Sequence, residues 1–350
     1  MPVVSGINIE YINFLRSNCD KVKHIIFLNE KNRYDSIFQT EDLKLFPINF
    51  KNPFSLIRLV YNLFLSKQII VHSFFIYINI IYILFPFLLS KSFLVLWGGD
   101  LYFYFNRTKN LKNKVIEFLR KIVLSKWINI ITYINEDFNN FRNWYNLNAI
   151  QHNCIMYPSN VFSIEYRNFK HNNLNSDKVN LMIGNSAIPE NRHEFALKVI
   201  KDCLFVNTTI YCPLSYGDRQ YANKISQLGV SYFGERFNSL FDYMDKEIYL
   251  MFLSKMDIIL MLQERQAGMG NIIQLLGLGK KIYFNSFAPH FIFLRDLGFI
   301  VFDFGDFNAE KLSFEDVENN SKLVEKYFAY NNLVYQWNKI FEYENKHSDG

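Results

Sequence analysis

The sequence predicts an α/β protein of two domains, each a parallel sheet with helices on its faces. Three observations carry that prediction. At 350 residues the chain is longer than one ordinary hydrophobic core organises. Short apolar runs alternate with segments of helical period along most of its length, as parallel strands joined by crossover helices require. The alternation stops once, at SNVFSIEYRNFKHNNLNSD (159–177), which is polar and without period, and then restarts. The expected division is a first domain over 1–162, a linker over 163–177 and a second domain over 178–320. A helical tail over 321–350 follows, with the option of packing back on the first domain. Two such halves, Rossmann-like and facing a cleft, are the architecture expected.

In the first half, HIIFLN is a strand and SLIRLVYNLFL a helix. The stretch IIVHSFFIYINIIYILFPFLL (69–89) has no formally charged residue and is long enough to span a bilayer. His72, Ser73 and Asn79 interrupt it, however, and Pro86 would break a helix late in its course. The favoured parse is a buried strand (IIVHSF), a core helix from Tyr77 to Leu84 and a second strand (FLVLW), since strands buried on both faces read as continuous apolar runs. A basic helix over Leu111–Leu124, the strand INIITYI and the helix EDFNNFRNWYN complete this half. The second half reads VNLMIG strand, HEFALKVIKDC helix, TTIYCPL strand, YANKISQLG helix and VSYFG strand. A helix ending near Lys255, the strand DIILML, the helix NIIQLLGLG and the strand KIYFN follow, with a helical tail from about Lys322 to Glu344.

Composition excludes several classes. A net charge of +5 with no aromatic-interleaved basic motif gives no support to nucleic-acid binding. Cys19, Cys154, Cys203 and Cys212 form no CxxC pair and no zinc-binding spacing with His, so they read as free thiols in a reducing compartment. MPVVSGINIEYINFL has neither the charged nor the apolar region of a signal peptide, and a cytosolic protein is expected.

In parallel sheets ligands gather beyond the carboxyl ends of the strands. Two loops there share a chemistry. ERQAGMGN places Gly268 and Gly270 where a tight turn exposes amides at a helix start, which favours an anion. Arg265 adds a permanent charge with a fork that suits phosphate; the alternative is a turn whose arginine pairs with Glu264 or solvent. GNSAIPENRHE offers Gly184, Asn185 and Ser186, with Asn191 as a cap and His193 in the first helical turn. In the first half, WGGDLY holds Asp100 at a strand end, as a base for a hydroxyl or as a helix cap, and His72 has the same ambiguity. No GxxxxGK[ST] and no GxGxxG after a first strand occurs, and no Asp-x-Asp follows a strand, so neither a metal nor another cofactor is expected. From Arg107 to Lys126 seven basic residues stand against Glu117 alone. Leu111, Val115, Phe118, Leu119 and Ile122 share one side of this helix, with Lys109, Lys114, Arg120 and Lys121 largely off it. This is either a solvated face or a docking surface for anionic lipid.

The succession WGGDLY, basic helix, NEDF, MYPSN, LMIGNSAIPENRHEFAL, PLSY, RQAGMG and FN…P resembles the bacterial 4-acetamido-4,6-dideoxygalactose (Fuc4NAc) transferases, glycosyltransferase family 56, from about His72 to Leu294. The resemblance implies a GT-B fold and transfer of Fuc4NAc from a dTDP or similar UDP carrier to a polyprenyl-diphosphate-linked glycan. It places this enterobacterial common antigen type of assembly at the cytoplasmic face of the inner membrane, with the protein held there peripherally. By matching position it puts Gly184, Asn185, Ser186, Asn191, His193, Tyr216, Arg265, Gln266, Gly268, Gly270, Asn285 and Pro289 at the donor, and His72 and Asp100 on the acceptor side. Arg265 then has a catalytic role, offsetting charge on the departing diphosphate in place of a metal. The residues around Pro289 depart from the family, with SFA before it and His290 after. Two other readings share such a fold, a nucleotide-sugar 2-epimerase and a non-catalytic glycan- or lipid-binding scaffold.

Overall fold

The computed structural model describes residues 6–19, 23–29, 43–74, 76–108, 110–162, 177–203 and 207–343. The chain forms two compact units, Met1–Ser159 with Tyr330–Gly350, and Asn160–Ala329. Most of the expected linker and Lys109 lie outside the described residues.

The first unit runs α1 (Gly6–Asn18), β1 (His24–Asn29), β2 (Leu43–Ile48), α2 (Pro53–Leu65), β3 (Ile69–His72), α3 (Ile76–Leu84) and a 3-10 turn (Pro86–Lys91). It continues β4 (Ser92–Val95), α4 (Gly98–Asn106), α5 (Leu111–Leu124), β5 (Asn129–Ile131), α6 (Asn135–Tyr145) and β6 (Ile150–His152). β1 pairs with β2, and β3-β4-β5-β6 form a second, parallel sheet in that order. A sheet that advances one way through right-handed crossovers carries its crossover helices on one face, and α3 packs on α5 there. The stretch 69–89 is strand, helix and 3-10 turn, with α3 ending at Leu84 just before Pro86. Among the described residues no helix is long and apolar enough to cross a membrane. WGGDLY is not a loop: Gly98 and Gly99 open α4 and Asp100 lies in its first turn.

α5 reverses the expectation. Its apolar stripe faces outward, with Leu111 78% and Phe118 65% exposed and Val115 and Ile122 exposed beside them, while Glu117, Arg120, Val123 and Leu124 are buried. The reason is a demand for donors beneath the helix. Arg120 donates to the carbonyls of Phe74 (2.8 Å) and Asp100 (2.7 Å) and pairs with Glu117 at 3.4 Å. Its guanidinium also lies 5.0 Å from the Phe103 ring centre. Arg120 therefore does not belong to a lipid-docking face; Lys114 and Lys121 remain exposed.

The second unit runs β7 (Val179–Ile183), α7 (His193–Ile200), β8 (Thr208–Pro213), α8 (Arg219–Phe233), β9 (Phe237–Leu240), α9 (Lys246–Ser254) and β10 (Ile258–Met261). Then come α10 (Met269–Gly277), β11 (Lys281–Phe284), α11 (Pro289–Asp296), β12 (Phe302–Asp303) and α12 (Phe314–Tyr327). All its pairings are parallel, in the order β12-β11-β10-β7-β8-β9. Counted within the unit from the other edge, this is 3-2-1-4-5-6, the doubly wound order. VSYFG is helix, not strand. Asp218 caps α8 by accepting from Tyr221 N (2.7 Å), and the buried stripe Ala222, Ile225, Gly229, Phe233 carries the helix through to Phe233. Gly234, at φ 59°, then turns the chain into β9. The tail is split: α12 belongs to this unit, whereas α13 (Tyr330–Phe341) belongs to the first. There the Trp337 indole donates to Met156 O (2.9 Å) and Gln336 Oε1 accepts from Ile155 N (2.9 Å).

Candidate functional site

In the second unit β7 and β10 are neighbours whose chains leave toward opposite halves of the sheet, the switch point at which α/β sheets bind ligands. The loop after each strand is one of the two singled out in the sequence, and the structure ties them together. Gly184 closes β7 with φ 62°, its N–H donating to Leu260 O (2.9 Å). A Cβ there would come within 2.8 Å of His193 Nε2 and 2.9 Å of Asn191 Cγ, so only glycine fits both the backbone and the space. Asn191 does not cap α7; it is buried, donates to Ser186 O (2.7 Å) and Ser186 Oγ (3.1 Å), and accepts from buried Gln263 on the second loop. Asn185 Nδ2 lies 3.0 Å from where a Cβ on Gly268 would sit. Two ion pairs cross between the loops, Arg192 with Glu264 (3.0 Å) and Arg265 with Glu190 (3.8 Å).

The chemistry this offers is anion binding with little competition from the protein itself. Gly268, at φ 67°, is the residue before α10, and Gly270 lies in that helix's first turn. The first amides of a helix lack partners within it, and glycine leaves them uncovered. Arg265 is half-buried; among the described residues it makes, besides the pair with Glu190, only a long bond to Gln266 O (3.4 Å), so its fork has capacity to spare. It does not pair with Glu264. His193 is fully buried, with Nδ1 against the Tyr221 hydroxyl (3.2 Å) and Nε2 unpartnered. Burial lowers its pKa to about 4, so the ring is neutral near pH 7. Tyr216 is exposed, and its carbonyl accepts from Ala187 N (2.6 Å), which fastens its loop to the first. Asn285 follows β11, accepts from Phe287 N (3.0 Å), and lines a 450 Å³ pocket with Arg192, Phe195, Leu262 and Phe304. Arg265, Gly184, Gly268 and Gly270 do not line this pocket. Pro289 is the buried first residue of α11.

In the first unit the end of β3 meets the start of α4. Ser73, at φ 74°, holds a strained left-handed turn and donates to Asp100 Oδ1 (3.1 Å). Among the described residues Asp100 Oδ2 has no hydrogen bond of good geometry, and a backbone contact with Phe74 also acts on the carboxyl. Burial raises the Asp100 pKa, against the lowering effect of Arg120, so the carboxylate is more basic than an exposed one. Neither oxygen caps α4. His72 Nδ1 lies 2.6 Å from the Tyr157 hydroxyl, which also accepts from Trp97 Nε1 (2.9 Å). The indole can only donate, and the phenol oxygen that accepts from it still has both a proton to give and a lone pair to share with His72 Nδ1. Burial lowers the His72 pKa to about 4, so its ring is neutral near pH 7. Gln263, Tyr157, Ser73 and the inward Arg120 were not singled out from the sequence as parts of these groups. Only Gln263 had a signal, as a polar residue directly after a fully apolar strand.

The fold, with two α/β units, is that of the GT-B glycosyltransferases. WaaG, a glycosyltransferase involved in lipopolysaccharide biosynthesis, aligns at TM-score 0.62 and 7% identity over 97% of each chain. Sucrose-phosphate synthase from Thermosynechococcus elongatus aligns at TM-score 0.67 and 11% identity, over 96% of this chain and 92% of its own. Anabaena HepE, in complex with UDP and glucose, aligns at TM-score 0.64 and 10% identity over 97% of each. The family model described as 4-alpha-L-fucosyltransferase glycosyl transferase group 56 matches residues 64–337, and the chain belongs to that family.

Proposed function

We propose that this glycosyltransferase moves an N-acetylated deoxy-amino sugar, Fuc4NAc or a close analogue, from a dTDP or UDP carrier to a polyprenyl-diphosphate-linked oligosaccharide. The reaction belongs to bacterial surface-polysaccharide assembly of the enterobacterial common antigen kind, on the cytoplasmic face of the inner membrane. The observation that carries the reading is the cross-tied pair of loops at the switch point, where an under-used Arg265 and the amides opening α10 stand together. The UDP and UDP-glucose complexes of HepE support a nucleotide-sugar donor, the family resemblance supports the sugar and the acceptor, and exposed Lys114 and Lys121 support an anionic membrane partner.

In this reading the donor diphosphate takes the α10 amides and the Arg265 fork, whose contribution grows as negative charge develops on the leaving group. Gly184, Asn185, Ser186, Asn191 and His193 shape the wall beside it, with His193 Nε2 directed at Gly184. The Asp100 carboxylate accepts the acceptor hydroxyl's proton, and His72 beside it orients the acceptor. Binding and slow hydrolysis measured across dTDP-, UDP- and GDP-sugars test the proposal. A dTDP- or UDP-sugar is expected to bind and to lose its sugar slowly to water. Conversion of the donor into an epimeric nucleotide sugar without acceptor, or no binding of any of the three, refutes it.

A further inference from the structure

The first unit carries far more exposed apolar surface than a solvated helix layer needs, and it is organised. α2 exposes Phe54 (81%) and Leu65 (68%), α3 exposes Leu84 (65%), and α5 exposes Leu111 (78%) and Phe118 (65%). Within each helix the exposed apolar residues fall at helical spacing, 54-57-61-65 in α2 and 111-115-118-122 in α5, so each is a stripe along one face. α3 packs on α5, and α2 and its approach meet α3 and the segment after it: the Phe50 ring stacks on Tyr77 at 4.7 Å, and Phe64 meets Phe85 and Phe87 at 5.1 Å. Exposed apolar stripes on segments that touch one another mark an interaction surface.

Its charge identifies the partner. Between Leu43 and Asn135 the sequence has twelve Lys and Arg and only two acidic residues, Asp100 and Glu117. Both carboxylates are turned inward, Glu117 onto Arg120 and Asp100 onto Ser73. Among the described residues the segments of this surface thus carry exposed charge of one sign, Lys112, Lys114, Lys121 and Arg58 among it. A second copy docked on it about a two-fold axis would set cations against cations. A bilayer containing anionic lipid satisfies both features, since apolar side chains enter the acyl boundary while lysines reach back to the headgroups.

We propose that α2, α3 and α5 form one monolayer-inserting face, which docks the protein on an anionic bilayer by burying Phe54, Leu65, Leu84, Leu111 and Phe118. This deepens the membrane partner of the proposed function and rests on that reading, but it replaces a purely electrostatic contact with a hydrophobic one.

The test is co-sedimentation of the full chain with vesicles of phosphatidylcholine alone or with added phosphatidylglycerol, at low salt and at about 1 M NaCl, where the Debye length is about 3 Å. Wild type is expected to prefer the anionic vesicles and to keep substantial binding at high salt. Complete release at high salt overturns insertion, whatever the variants do. Leu65→Gln, Leu111→Gln and Phe118→Gln, all at exposed positions, are each expected to weaken binding by about tenfold, the loss of roughly one large apolar contact. Sedimentation velocity without lipid is expected to give the same species for wild type and variants; a wild-type dimer that the substitutions dissociate assigns the face to a second copy and overturns the proposal. Transfer to a water-soluble acceptor analogue is expected to be unchanged in the variants, and loss there with intact melting curves also overturns it. If wild type binds vesicles as described yet transfers nothing to any acceptor, the proposed reaction fails and the docking surface stands.

Discussion

Arg265→Ala separates a role in chemistry from a role in holding the loop. The structure makes the two effects very different in size. Among the described residues Arg265 pairs only with Glu190, at 3.8 Å, and its side chain is 25% exposed against 43% for the glutamate. At that distance two unit charges in water attract by about 1 kcal/mol, and exposed pairs measure roughly 0–1 kcal/mol. The bond to Gln266 O is long, at 3.4 Å. Removal is therefore expected to change stability by less than about 1 kcal/mol. As the group that meets charge on a departing diphosphate, the same side chain should contribute about 2.7 kcal/mol or more to the barrier, a fall of about 10²-fold in kcat. The assay is steady-state transfer at saturating donor, beside a urea titration. Arg265→Lys keeps the charge and loses the fork, so an intermediate kcat is expected. A kcat within a few-fold of wild type for Arg265→Ala refutes the phosphate role, and a stability loss above about 2 kcal/mol shows that the arginine holds the turn together.

Three other outcomes follow from named contacts. Asp100→Asn keeps shape and removes basicity, so transfer should fall by about 10²-fold or more with donor binding and melting temperature unchanged; near-normal transfer by the folded variant excludes the base. Arg120→Met leaves Glu117 buried without its partner and two carbonyls without donors, and should cost about 3 kcal/mol in a denaturant titration. Adding Glu117→Leu should recover part of this, and a double variant no more stable than Arg120→Met excludes the buried-charge explanation. His193 and His290 are fully buried, with pKa values lowered to about 4 and about 3 from 6.5, so the unfolded chain takes up protons that the folded chain refuses. Stability is then complete above pH 6.5 and lost as pH falls toward 4, by about 1.4 kcal/mol per pH unit for each histidine. A melting temperature that stays level or rises between pH 6.5 and 5 contradicts this.

Much of the fold was legible because buried parallel strands announce themselves. DIILML, KIYFN and VNLMIG are apolar on both faces, and each is a central strand of the second unit. Errors fell where local pattern and tertiary packing disagree. VSYFG has strand-forming composition, yet Gly229 lets α8 lie directly against the Phe237 ring, and the helix runs on. WGGDLY reads as a turn, yet Trp97 is the residue before α4 and the glycines are simply its first turn. The glycine loops were readable because their constraint is local: Gly184 and Gly268 both need positive φ. Their partners were not, because the contacts join residues far apart in sequence. Gln263 reaches Asn191 across 72 positions and Tyr157 reaches His72 across 85.

The basic helix shows the deeper limit. A period of 3.6 residues tells that α5 has an apolar stripe and a charged one, but not which of them faces the protein. The hydrophobic effect alone favours burying Leu111, Val115, Phe118 and Ile122. What decides otherwise lies in other segments, where the carbonyls of Phe74 and Asp100 would be left in a poorly hydrated place without donors. Arg120 meets both, Glu117 balances its charge, and Val123 and Leu124 supply the apolar contact that remains. The rotation that satisfies the interior necessarily turns the greasy stripe outward. One helix thus holds the turn bearing Asp100 with its inner face and presents the proposed lipid contact with its outer one.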